Sequence, residues 1–370
     1  MLKLEKQLLI GLTCLLACIG IFFIFDVGTL KSMKLSANHD PYSLVKKQLL
    51  HFGIGFAAML ATAYLIDAKL YERFPYPIYF IGLILMAIPL FTGSISHGAS
   101  RWTSVGGFSL QLSEVAKFCL IVFFSHLMLK NNDYRYFIAY LTPPVILMLC
   151  QKDLGSLLIM LASCFAIYFL SGADLYKLIP IGIAGILAVL VMILASPYRR
   201  ERLMTYIHPT NDTQDEGYHI NQLKIAIGRG GLLGQGLGQS RQKFQYLPEV
   251  HTDSIFAIIA EETGFAGVIL IFALYSFFLY LIWRIIQYGQ LDPGLKMIGY
   301  GIFVAFVSQI FVNLGAISGL TPLTGITLPF LSYGGSSLVI SCALVGVIAN
   351  LASQRDTTTP KFIIKRKKYV

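Results

Sequence analysis

Apolar residues run through this chain in stretches long enough to cross a bilayer, broken by short polar connections. A helix needs about 20 apolar residues to cross the hydrocarbon core. On that criterion helices are predicted near 7–25, 47–66, 76–93, 112–129, 136–150, 154–171, 175–195, 254–285, 297–317 and 333–353. Segment 254–285 is longer than a bilayer requires, so it should tilt or protrude. The first stretch follows only Met1 to Lys6 and lacks a small-x-small cleavage site, so it is read as a retained helix. The expectation is an all-α, polytopic integral membrane protein of about ten spans, with residues 1–370 forming one membrane domain.

Two segments depart from the alternation. Residues 196–253 are a long polar loop between two spans, with helical apolar spacing over Tyr218 to Ile227. Loops of this length are commonly functional. The stretch from Asn313 to Ser337 carries Pro322, Pro329 and several glycines between apolar residues. Irregular backbone at membrane depth is tolerated only where protein buries it or a cavity solvates it. A re-entrant or broken element is therefore expected before the last span.

Composition agrees. Apolar types make up 56% and charged types 13%, where a soluble domain carries about a quarter. Mean hydropathy is +0.68. Soluble and disordered classes are both excluded, and no nucleic-acid partner is expected. The six cysteines lie in apolar runs without C-x-x-C spacing and read as buried hydrophobes. The net charge of +10 is unevenly spread. With the N-terminus inside, Lys69, Arg73, Lys130, Arg135, Arg284 and the basic tail 354–370 fall on the cytoplasmic side. The positive-inside rule then places both termini in the cytoplasm and loop 196–253 outside.

The loop's glycine run, Gly228-Arg-Gly-Gly-Leu-Leu-Gly-Gln-Gly-Leu-Gly238, fits neither a dinucleotide fingerprint nor a P-loop. The plainer reading is a turn that lets the loop pack against the membrane domain. The sharper one is close backbone approach to a phosphorylated ligand. Seven cations on the loop, including Lys224, Arg229, Arg241 and Lys243, suit either a solvated surface or a lipid-anchored diphosphate.

Asp253 stands where the polar loop meets an apolar span, beside His251. It suits a helix N-cap and equally a general base at the water–membrane boundary. Glu114 and Lys117 are spaced to pair on one helix face. Asp153 heads another span beside Lys152. Glu261 and Glu262 lie within an apolar span and must face the interior or a cavity; with Asp253 they could also form a proton path for a transporter.

The stretch Leu328-Pro-Phe-Leu-Ser-Tyr-Gly-Gly-Ser-Ser337 resembles the signature of the SEDS (shape, elongation, division, sporulation) family. Arg101-Trp102, Gln111-Leu-Ser-Glu114, Gln151-Lys-Asp-Leu-Gly155, Gly217-Tyr-His219 and Leu247-Pro-Glu-Val-His-Thr-Asp253 follow in family order. The division branch is narrowly favoured over the elongation branch. Leu112 and Lys152 stand where the family usually has proline, and Ser254 where it often has Phe. The resemblance implies a peptidoglycan glycosyltransferase of the bacterial cytoplasmic membrane. Such a protein polymerises lipid II alongside a class B penicillin-binding protein and other division or elongation membrane proteins. It implies Asp253 as the catalytic base, with Trp102, Glu114, Lys117 and Asp153 at functionally sensitive positions. Substrate contacts are also expected from Arg101, Arg229, Arg241, Lys243, Ser332 and Tyr333. No cofactor is assigned, and a divalent cation such as Mg²⁺ could assist. The rival readings are a lipid flippase and a non-catalytic scaffold.

Overall fold

The structure, a computed structural model, describes residues 2–35, 40–92, 94–96, 99–105, 108–180, 182–183, 216–244, 251–322 and 324–353. The expected spans appear as α1 (Leu2–Leu35), α2 (Ser43–Tyr64), α4 (Pro75–Thr92), α5 (Leu112–Lys130), α6 (Tyr134–Cys150) and α7 (Leu154–Leu170). They continue as α9 (Ile255–Tyr288), α10 (Pro293–Ile317) and α11 (Gly335–Leu351). A short α3 (Lys69–Arg73) joins α2 to α4, and α8 (Glu216–Gly230) forms the helix expected within the long loop. Most of the span expected at 175–195, loop residues 196–215 and 245–250, and the basic tail lie outside the described residues.

Small residues and a few polar groups bring the helices together, as packing between apolar helices in lipid requires. Along α2 and α11, a Cβ at Gly346 would stand 2.3 Å from the Met59 carbonyl oxygen, so the backbones nearly touch there. The Thr62 hydroxyl donates to the Ala343 carbonyl (3.0 Å), and Asn350 Nδ2 donates to the carbonyls of Thr62 (2.8 Å) and Ile66 (2.6 Å). Tyr79 donates its hydroxyl to the Tyr140 carbonyl (2.8 Å), locking α4 to α6.

Ion pairs at the two ends of α1 fix its direction against α9. Glu5 meets Arg284 at 2.7 Å near the start of α1, and Asp26 meets the α9 end that bears Glu262 through Lys243. The helices are thus antiparallel. Lys6 Nζ also donates to Ser353 Oγ at 3.0 Å, so the start of α1 and the end of α11 share one end of the bundle. The long loop and Asp253 occupy the opposite end.

One connection adds strands to this helical membrane domain. The connection between α4 and α5 is a three-stranded antiparallel meander: β1 (Ser94–Ser96), β2 (Ala99–Val105) and β3 (Phe108–Leu110). Its signal was Gly106-Gly107, a two-residue hairpin turn sequence, between Trp102-Thr-Ser-Val105 and the alternating Phe108-Ser-Leu110. Helix α5 starts at Leu112, the N1 position that proline favours, so leucine leaves the start where proline would put it. Lys152 adopts φ 60°, a value closed to proline, whose ring fixes φ near about −65°.

Helix α9 is interrupted at Gly264 (φ 65°, ψ −164°). Residues 265–288 beyond the break span about 36 Å at 1.5 Å per residue, which suffices to cross a bilayer. The surplus length expected from sequence is thus the buried segment Ile255 to Thr263, set above the crossing part.

Candidate functional site

The break at Gly264 receives the glycine-rich run. Phe265 N donates to the Gly231 carbonyl (2.9 Å) and Ala266 N to that of Leu232 (3.1 Å). In return Gln235 N and Gly236 N donate to the carbonyls of Glu261 (3.0 Å) and Glu262 (3.1 Å). The approach is too close for side chains. A Cβ at Gly234, whose φ is 83°, would stand 2.1 Å from the Glu262 carbonyl oxygen. The plainer reading of the glycine run therefore holds: it is a packing device. Gly234→Ala should cost at least about 2 kcal/mol and lower the thermal midpoint of the solubilised protein. Gly228→Ala, where a Cβ meets nothing within 4 Å, should leave that midpoint at or above wild type.

Glu261 and Glu262 are completely enclosed and both hold this loop. Glu262 accepts from the amides of Gly238 (3.0 Å) and Ser240 (3.2 Å). Glu261 accepts from the Ser240 hydroxyl and from Arg241 N (3.3 Å). Lys243, expected among the cations that grip a ligand, is instead committed internally. Its ammonium, 4% exposed, lies 2.7 Å from Asp26 and 3.0 Å from Glu262. Arg229 and Arg241 remain exposed, as does Lys224. The would-be Cβ of Gly319, just past α10, lies 3.2 Å from Lys224 Cε.

Asp253 sits in the turn ahead of α9, and the helix N-cap is Ser254, not Asp253. Its Oδ1 accepts from the hydroxyls of Thr252 (3.3 Å) and Ser254 (3.2 Å). Ser254 Oγ also meets His219 Nε2 of α8 at 2.9 Å, so a hydroxyl links the imidazole to the carboxylate. This polar contact explains a serine in place of an aromatic residue at position 254. Asn313 Nδ2, from α10, donates to the carbonyls of Asp253 (3.0 Å) and Ile326 (2.7 Å). It thereby fastens the Asp253 turn to the broken segment. Between them lies a void of about 10 Å³, room for one water, lined by Asp253, Ser254, Asn313, Thr324, Gly325 and Ile326.

The broken segment takes the form expected. From Ser318 to Pro322 and from Thr324 to Gly334 the backbone is irregular, and Leu328 to Ser332 are buried. Ser332 serves this turn: its hydroxyl accepts from Leu328 N (2.8 Å) and its carbonyl from Gln48 Nε2 (3.3 Å). Tyr333 N donates to the His251 carbonyl (2.8 Å), and the two rings lie 5.3 Å apart. Position 333 thus joins the two motifs on either side of the site.

Asp153 caps α7, accepting from Ser156 N (3.1 Å), and accepts from Gln111 Nε2 (3.2 Å). Gln111 N in turn donates to Ser336 Oγ (3.0 Å), so the starts of α5, α7 and α11 are tied together. The wall of the void reaches this knot, since a Cβ at Gly155 would stand 3.2 Å from Thr324 Cβ. Glu114 and Lys117 form the expected pair at 2.9 Å. Arg101 and Trp102 belong to β2, and their side chains lie outside the described residues. Among the described residues no group of three or more His, Cys, Asp or Glu could hold a metal ion. His219, Asn313 and Thr324 were not singled out from sequence as site residues. His219 had a signal in its motif, whereas nothing marked Thr324.

The comparisons with known proteins agree with this architecture. The family described as "Cell cycle protein" matches residues 6–357. Stage V sporulation protein E of Bacillus subtilis is 36% identical over 93% of this chain and 96% of its own length. A protein from Saccharophagus degradans, named probable peptidoglycan glycosyltransferase FtsW, is 36% identical over 87% of each chain. Among solved structures, a peptidoglycan synthase complex contains a chain that superposes with TM-score 0.75 at 25% identity, covering 93% of this chain and 96% of that one. The rod shape determining protein RodA of Thermus thermophilus superposes with TM-score 0.68 at 24% identity, covering 94% and 96%. A family match over nearly the full length, relatives 36% identical over most of their own length, and shared multi-pass helices converge: the chain belongs to the FtsW/RodA/SpoVE family, the SEDS membrane proteins.

Proposed function

We propose that this chain polymerises lipid II into peptidoglycan glycan strands on the outer face of the cytoplasmic membrane. Both termini then lie in the cytoplasm, in keeping with their shared end of the bundle and the basic tail. The observation that carries the reading is the position of Asp253, in the turn between the long loop and α9 and fastened to the broken segment, at the end of the bundle opposite the start of α1 and the end of α11.

The 4-hydroxyl of the acceptor GlcNAc gives its proton to Asp253 as its oxygen bonds to the anomeric carbon of the donor MurNAc. The carbon–oxygen bond to undecaprenyl diphosphate breaks, and its electron pair leaves with the diphosphate. One displacement inverts the anomeric centre and needs one base. Exposed Lys224, Arg229 and Arg241 are the described loop cations suited to the developing phosphate charge. A divalent cation such as Mg²⁺ would add to them. The His219–Ser254–Asp253 chain orients the carboxylate. A crosslinking partner, a class B penicillin-binding protein, is supported by the likeness to a synthase complex that coordinates polymerization and crosslinking.

The transporter reading loses its main support, because Glu261 and Glu262 are occupied in holding the loop. The test is polymerisation of labelled lipid II by purified protein with a candidate transpeptidase. Glycan formation supports the assignment. Lipid that moves across the membrane without joining of sugars refutes it.

A further inference from the structure

Charges on α1 and α9 mark out the slab that the bundle crosses. Between Lys6 and Asp26, α1 carries no charged residue over about 30 Å at 1.5 Å per residue, the thickness of a hydrocarbon core. On α9 the uncharged run that starts at Phe265 ends at Arg284, about 29 Å along. The two measures share their end planes. Glu5 pairs with Arg284 at one end, and Lys243 joins Asp26 to Glu262 at the other.

The glycine run lies on the second of these planes. Gly231 and Leu232 accept from the amides of Phe265 and Ala266, the first residues of the crossing part of α9. The would-be Cβ of Gly238 lies 3.7 Å from Asp26 Oδ1. At this depth the loop turns three leucines away from the protein: Leu232 is 75% exposed, Leu233 84% and Leu237 59%. Exposed Phe265 and Ile269 continue the apolar surface along α9, as Phe25 does on α1. Single exposed leucines are ordinary, whereas three at the tip of a polar loop, at one depth, mark an interaction surface. The charge around them has one sign. Residues 217–244 contain no Asp or Glu, and Lys224, Arg229 and Arg241 are exposed. Apolar side chains flanked by cations are the composition of segments that lie in the boundary of an anionic bilayer.

We propose that the tip of the glycine loop is an interfacial membrane anchor, with Leu232, Leu233 and Leu237 entering the acyl boundary and the loop's cations level with lipid phosphates. The occupant is the bilayer itself, because the leucines extend the surface that the crossing helices present to lipid and the loop's charge complements anionic headgroups. Glu261 and Glu262 hold the same loop through their carbonyls and carboxylates, so the anchor also sets the height of the segment Ile255 to Thr263, and of Asp253 ahead of it, above the membrane. The anchor stands independently of the glycosyl-transfer reading.

The experiment attaches a nitroxide at Leu233→Cys or Ile269→Cys in the full chain, with the exposed Cys18 and Cys150 replaced by alanine, in nanodiscs containing phosphatidylglycerol. Signal from the background protein without the added cysteine is subtracted. Because Leu233 is exposed, its replacement leaves the packing intact. Collisions with oxygen, which concentrates in hydrocarbon, are compared with collisions with a water-soluble nickel chelate. The expected result is that oxygen reaches the label at Leu233 more readily than the chelate does, as at Ile269. Ready access of the chelate at Leu233, with Ile269 protected, would overturn the anchor by placing the tip in water. Protection from both reagents would overturn it by showing a protein surface, a second copy of this chain, over the leucines.

Discussion

Asp253→Asn lowers polymerisation by at least about 100-fold, the lower range for removing a general base, and leaves the protein folded. Asparagine keeps an Oδ1 acceptor for the hydroxyls of Thr252 and Ser254, the contacts that Asp253 Oδ1 makes. It cannot take a proton. The helix that follows does not depend on the substitution, because its N-cap is Ser254 and the Asn313 bond reaches the Asp253 backbone, not its side chain. Wild-type thermal midpoint with lost activity would therefore identify chemistry. Equal loss of both would return Asp253 to a structural role, and retained activity would send the search for the base elsewhere at this end of the bundle.

Lys243→Met should be among the most destabilising single substitutions in the protein. It leaves Glu262, whose side chain is fully buried, and Asp26 facing each other without the ammonium between them. Removing one partner of a buried ion pair costs about 3–5 kcal/mol, most of it the uncompensated charge left behind. Adding Glu262→Gln removes part of that charge and should recover a large share of the stability. The readout is the thermal midpoint of the single and double variants. A phosphate-binding lysine on the loop surface would behave differently, keeping the wild-type midpoint while the lipid II requirement rises. That outcome would contradict the internal role seen here.

The spans were legible because apolar runs of bilayer length have few alternative uses, and the broken segment because Pro322, Pro329 and nearby glycines cannot continue a helix. The loop's role was legible only in part. Its glycines signalled close backbone approach, yet the surface approached is the Gly264 break, created by tertiary contact with the loop itself. For the same reason Glu261 and Glu262 read from sequence as lining a passage: two acids in an apolar span must find partners, and the sequence does not say that loop amides twenty residues earlier supply them. Lys243 was misjudged with them, since its partners lie on α1 and α9. Asp253 stood out through its boundary position and motif. Asn313 did not, because its significance lies in joining two backbone segments distant in sequence, the Asp253 turn and the broken segment.

The most direct test of the account is gel analysis of the product from labelled lipid II, using purified wild-type protein with a candidate transpeptidase and Asp253→Asn in parallel. The account predicts a ladder of inverted, β-linked glycan strands from wild type and none from Asp253→Asn at equal folding. Strands of equal yield from Asp253→Asn, or none from wild type with any partner, would contradict it.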